Sequence, residues 1–281
     1  MIDLHTHSSA SDGTDTPGEL INKAHASGIS VLGLMDHDTV AGWDEAISYL
    51  RPGLSLVLGS EISAQTDDGI SVHMLGALFD RNNLPLMEAL AKIRDSRYGR
   101  MEKIVERLNE ADVEISIEEV HAQLSEGATL GRPHLADALV AKKIVKSREE
   151  AFELYLSNGS KYYVAYYAPT PIDAIRLIKE AGGVAVIAHP LASLRGSIVS
   201  IESFKSMVDA GMDGIEVSHR DQTPDAQELL AKIVKEYGIV ATGSSDYHGT
   251  GKLNQLGEFT TTDEAFAQLE SRADARRVIK K

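Results

Sequence analysis

Apolar residues along this chain fall into short unbroken runs separated by stretches of helical periodicity. Ser30–Met35 (SVLGLM) and Val184–Ala188 (VAVIA) are continuous apolar runs, as expected of strands buried on both faces of a parallel sheet. Leu54–Glu61, Asp213–Val217 and Ile239–Gly243 read the same way, and the N-terminal Ile2–His7 is a further strand. Ile70–Leu78 follows the third run across the short loop Gln65–Gly69, so those two strands form a hairpin. Between the strands, residues 17–27, 39–50, 84–109, 170–181, 201–210, 224–237 and a segment from about Thr262 space their apolar residues as helices do. Thr16 caps the first helix ahead of Pro17, and glycines at 28, 182–183, 211 and 238 stop helices before the strands that follow.

One region breaks this alternation. No strand interrupts the chain between Leu84 and Tyr162, where shorter helical segments at 115–126, 132–143 and 148–157 follow the long helix. The aromatic KYYVAYYAPTP then marks a return to the alternating pattern. Residues 99–168 are therefore predicted to be an inserted helical lobe, with residues 1–98 and 169–281 forming an α/β barrel of seven strands.

Composition narrows the chemistry. The 281 residues are 43% hydrophobic and 25% charged, which suits a globular enzyme-sized body. With no cysteine, any metal is held by nitrogen and oxygen. The net charge of −14 disfavours extended duplex nucleic acid, while a small phosphorylated ligand or a short oligonucleotide end stays compatible with a cation-bearing site. MIDLHTHSSASDG lacks the features of a signal peptide and no run is apolar enough to span a membrane, so the expected location is cytoplasmic and no membrane partner is expected.

Candidate ligands cluster where barrel functions cluster, at strand ends. His5 and His7 project from one face of the first strand, about 7 Å apart at Cα by strand rise. Asp12 follows; the second strand empties into Asp36-His37-Asp38, the third ends in Glu61, and the fourth carries His73. The fifth leads to His189-Pro190 and the last to Asp246 and His248, repeating the i, i+2 spacing. Imidazole and carboxylate ligands without sulfur suit Mn, Fe or Zn. Either Asp36 or Asp38 could orient a ligand imidazole, with Asp36 preferred.

HTHSSASDG, Asp-His-Asp, Glu61, AHP at 188–190 and SDYHG at 245–249 together resemble the PHP (polymerase and histidinol phosphatase) family, and the lobe with Gly-Arg-Pro-His at 131–134 is similar to its members that act on AMP-like nucleotides and 3′,5′-nucleoside bisphosphates. The resemblance implies a distorted seven-stranded (β/α)7 barrel with two or three divalent ions. It assigns His5, His7, Glu61 and Asp246 to the first ion, Asp12, His37 and His248 to the second, and Glu61, His73 and His189 to the third, with Glu61 bridging.

The implied function is phosphomonoester hydrolysis on a nucleotide by a metal-bridging hydroxide, with Asp12, His37, Glu61 and Asp246 as catalytic residues. Arg132, His134, Arg195 and His219 are expected to hold the substrate, and Tyr162, Tyr163, Tyr166 and Tyr167 are candidates for stacking a base. Alternatives are 5′-3′ exonuclease action on short RNA, histidinol phosphatase activity, an amidohydrolase, and a nucleotide-sensing module without turnover. The amidohydrolase typically needs a bridging lysine that no strand end supplies.

Overall fold

The computed structural model describes residues 1–125, 127–193, 198–275 and 277–281. Seven strands lie side by side in chain order: β1 (Ile2–Thr6), β2 (Val31–Leu34), β3 (Ser55–Gln65), β4 (Ser71–Ala77), β5 (Val184–Ala188), β6 (Gly214–Ser218) and β7 (Val240–Gly243). The edges approach closure where Thr6 bridges Tyr247, the His7 amide donating to the Tyr247 carbonyl at 2.8 Å. Strands β1–β3 and β5–β7 are parallel, whereas β4 runs against both neighbours. A short β8 (Ile279–Lys280), absent from the sequence expectation, pairs with the start of β3.

Alternation along the strands separates two apolar layers. Leu32, Leu56, Leu58, Ile62, Met74, Ile187 and Ile215 face outward into helices α1 (Pro17–Ala26), α2 (Trp43–Tyr49), α7 (Pro171–Glu180), α8 (Ile201–Asp209) and α9 (Pro224–Tyr237). Val57, Leu75, Val186 and Val240 fill the lower interior, and Leu269 of α10 (Asp263–Ser271) closes its floor. Higher up, the inward positions become Glu61, His73 and Glu216, so the polar groups collect at one rim.

Helix α3 (Leu84–Asn109) has the bounds expected of it, held at its start by the Asn83 side chain. It changes packing partners midway. Leu86, Leu90 and Ile93 join the barrel's outer layer, while Met101, Ile104 and Leu108 enter a separate cluster with Leu135, Leu139, Leu156 and Val164. That cluster gathers α4 (Ile117–His121), α5 (Arg132–Ala141), α6 (Arg148–Ala151) and a π-helical turn (Phe152–Leu156).

Three expectations need correction. The helix predicted from Thr39 starts only at Trp43, because Asp38 takes a positive φ of 54° and the Thr39 amide donates to Ser60 Oγ of β3. Strand β3 continues four residues past Glu61 because its second half pairs with β4. The segment predicted at 115–126 shrinks to Ile117–His121, whereas the one predicted at 148–157 is helical over 148–156, its second half as a π turn. Among the described residues, no helix is long and apolar enough to cross a membrane.

Candidate metal centre

Each rim side chain is aimed by a local irregularity. The register of β1 breaks between Asp3 and Thr6, and that of β6 between Glu216 and Ser218, breaks of the kind that re-aim side chains beside functional sites. Asp38, His189 and Asp246, just past the ends of β2, β5 and β7, adopt positive φ of 54°, 31° and 53°. Such backbone costs about 1–3 kcal/mol per residue and persists only where the surroundings enforce it. His73 reaches the same rim from the start of its strand: β4 is reversed, so His73 pairs with Ala188 at the end of β5.

The candidate ligands meet. His5 Nε2 and His7 Nε2 lie 3.2 and 3.1 Å from Glu61 Oε2, and 3.4 and 3.2 Å from Asp246 Oδ1. Beside this group, Asp12 Oδ1 lies 3.2 Å from His248 Nε2 and Asp12 Oδ2 lies 3.8 Å from His37 Nε2. On the other side, Glu61 Oε1 sits 2.7 Å from His73 Nδ1 and 3.3 Å from His189 Nε2. The two oxygens of Glu61 thus face different groups, as a bridging carboxylate must.

The donor set fits cations. His37 Nδ1 and His248 Nε2 are buried without a hydrogen-bond partner, an arrangement that costs stability unless a ligand satisfies it. Burial pushes the His37 imidazole down to about 3 and His248 down to about 4. Burial alone would raise the Glu61 carboxyl, but the His37, His73 and His5 imidazoles override it and hold it well below the usual range. Asp12 is likewise held low, by His248 and His37 against burial.

This centre floors a cavity of about 800 Å³ whose far wall belongs to the helical region. Arg97, Arg100, Arg132, Tyr163 and Tyr166 stand on that wall. Arg97 is committed: its Nε and Nη2 donate to Asp38 Oδ2 at 3.0 and 2.6 Å. Arg100 and Arg132 form no ion pair with a carboxylate among the described residues. Burial and the neighbouring Arg132 push Arg100 down to about 10, and burial lowers Arg132 as well. Arg100, which is buried and donates to the Val164 carbonyl, and Arg132, which is half-buried and donates to Leu156 and Asn158 oxygens, put positive charge on a wall that also carries Glu149 and Glu153.

Other expected contacts fall differently. His134 is the third residue of α5 and turns back so that Nδ1 accepts from the Gly131 amide at 3.1 Å; it is buried as a helix cap and is not part of the cavity wall. His219 is fully buried, with Nε2 3.5 Å from Asp246 Oδ2 and without a hydrogen-bond partner there. Arg195 lies outside the described residues. Tyr162 packs in the helical cluster and Tyr167 lies under Lys92. Asp36 orients no imidazole directly; it accepts from Ser8 and Ser11 and so shapes the loop after β1.

Sequence reasoning passed over Arg97, Arg100, Lys252 and Glu216. Lys252 reaches the rim from the loop after β7 and donates to Asp246 Oδ2 at 2.9 Å. Glu216 carried a signal, as the one charged residue in the apolar strand GIEVS. Arg97 and Arg100 did too, since they occupy the buried face of α3 in step with Ile93 and Ile104.

Comparison with known proteins agrees with this arrangement. Residues 3–168 match the PHP domain. The chain is 38% identical over 251 residues to a 5′-3′ exoribonuclease of Haemophilus influenzae, covering 88% of this chain and 89% of the relative. It is 32% identical over 252 residues to the 3′,5′-nucleoside bisphosphate phosphatase of Chromobacterium violaceum, covering 89% and 88%. A solved Bifidobacterium adolescentis structure named as a metal-dependent phosphoesterase superposes with a TM-score of 0.92 at 40% identity, over 97% of this chain and 96% of that one. On these matches and the rim that carries the shared motifs, the chain belongs to the PHP family.

Proposed function

We propose that this protein is a metal-dependent phosphatase that removes the terminal phosphate from a nucleotide carrying a second phosphate nearby. The observation that carries this reading is the pairing, across one cavity, of the rim around Glu61 with Arg100 and Arg132, which form no ion pair among the described residues. His5, His7, Glu61 and Asp246 would hold one divalent ion, Asp12, His37 and His248 a second, and Glu61, His73 and His189 a third, from among Mn, Fe or Zn. Bound ions of this kind lower the pKa of water from about 15.7 to about 7 and neutralise phosphate oxygens.

The chain's own groups do the rest. Arg100 and Arg132 bind the second phosphate and so fix the distance at which the first reaches the rim. Tyr163 and Tyr166 present aromatic surface to the base between them. Residues 99–168 serve as the substrate-binding lobe.

A 3′,5′-bisphosphate and the 5′ end of a short RNA both place a second phosphate one nucleoside away. The cavity, at about 800 Å³, has room for either, and the 38% identity to an exoribonuclease supports the RNA reading as the second one. Phosphate release from AMP, a 3′,5′-bisphosphate and histidinol phosphate, together with mononucleotide release from a short 5′-phosphorylated RNA, tests this. The account predicts the highest kcat/KM for substrates with two phosphates, and a loss of ten-fold or more for those substrates alone in Arg100→Ala and Arg132→Ala. Equal loss on AMP, or preference for histidinol phosphate, would contradict it.

A further inference from the structure

Glu216 is fully buried on β6 and lies close enough to His5 and His189 for the three to hold a cation, yet it belongs to none of the three ligand sets proposed above, and both its oxygens are already engaged. Its Oε1 lies 3.0 Å from His5 Nδ1, and its Oε2 accepts from the backbone amide of His189 at 3.0 Å. A carboxylate has no proton to give, so the His5 contact requires Nδ1–H, which reserves Nε2, between Glu61 and Asp246, for a cation that displaces its proton. The second contact falls on the residue whose φ of 31° is the tightest of the three strained turns at the rim. Gln222 braces the same corner: its Nε2 donates to the Glu216 and Val217 carbonyls while its Oε1 accepts from the Leu191 amide. Where both donors and an acceptor are needed an amide stands, and where two acceptors are needed a carboxylate stands.

We propose that Glu216 is a positioning residue that fixes the His5 tautomer and the His189 turn, and thereby sets the affinity of the centre for its cation. The inference rests on the metal-centre reading above. Glutamine at this position offers one acceptor and one donor, so it keeps the His189 contact only by donating to His5 Nδ1, which moves the His5 proton onto Nε2. Carboxylates that orient ligand histidines typically cost 10–100-fold in metal affinity when replaced.

Calorimetric titration of Mn²⁺ into metal-stripped wild type and Glu216→Gln, with Tm measured with and without Mn²⁺, tests it. The expected result is about 10–100-fold weaker binding at the tightest site and a smaller Mn²⁺-induced rise in Tm, with KM at saturating Mn²⁺ unchanged. Equal lowering of Tm with and without metal, at wild-type affinity, would mark a purely structural role and overturn the inference alone. A wild type that takes up no Mn²⁺ would overturn the metal-centre reading and this inference with it. Should the variant not fold, ¹⁵N-histidine spectra of the zinc-loaded wild type decide: a proton on His5 Nδ1 supports the inference, and a proton on Nε2 sinks it.

Discussion

His7 shows how closely the rim is balanced. Burial disfavours its charge, yet hydrogen bonds to Asp246 and Glu61 outweigh that and push it up to about 9. In the metal-free chain His7 therefore holds a proton at neutral pH, and a cation must displace it. Binding of Mn²⁺ should release protons, and apparent affinity should climb as pH rises toward about 9, then level off. Titration near neutral pH in two buffers of different protonation enthalpy checks this; no proton release would contradict it. At this scale the histidines and acids were legible because i, i+2 spacing on a strand names a shared face. Arg100 stood on the buried face of α3, but its position in the helix does not say which wall it faces.

The elements place these residues through close strand contact. A Cβ on Gly33 of β2 would lie 2.1 Å from the Leu4 carbonyl oxygen of β1, next to His5, and backbone cannot yield as a side chain does. Gly33→Ala should cost about 1–3 kcal/mol and weaken Mn²⁺ binding together, because β1 is pushed off its neighbour. Denaturant unfolding beside Mn²⁺ titration tests the coupling; lost stability at full affinity would break it. Helix ends were readable where caps and glycines stand, as at Thr16 and at Gly238, whose φ is 64°. The extent of β3 was not: all but its end residues are buried, so no alternation marks where it stops, whereas the reversal of β4 that brings His73 to the rim was readable from the short loop Gln65–Gly69.

For the whole molecule, a net charge of −14 surrounds one cavity whose far wall is basic. Such a body draws in a short anion at the mouth and repels a long one elsewhere. A single-stranded 5′-phosphorylated RNA should therefore be a better substrate than a blunt duplex of the same sequence, and equal rates on both would argue against the charge distribution as a filter. The barrel and its helical insertion were visible as a break in alternation. The way α3 serves both clusters was not, since Leu86, Leu90 and Ile93 lie on one buried face with Met101, Ile104 and Leu108, either side of Arg97 and Arg100, and only the structure shows the change of partner. The central claim is that one rim binds several cations together. Metal content per chain, measured by mass spectrometry on Mn²⁺-reconstituted, dialysed protein with phosphate release followed on the same sample, tests it most directly. The account predicts two or three ions per chain and activity that vanishes as they are removed; a fully active sample holding none would contradict it.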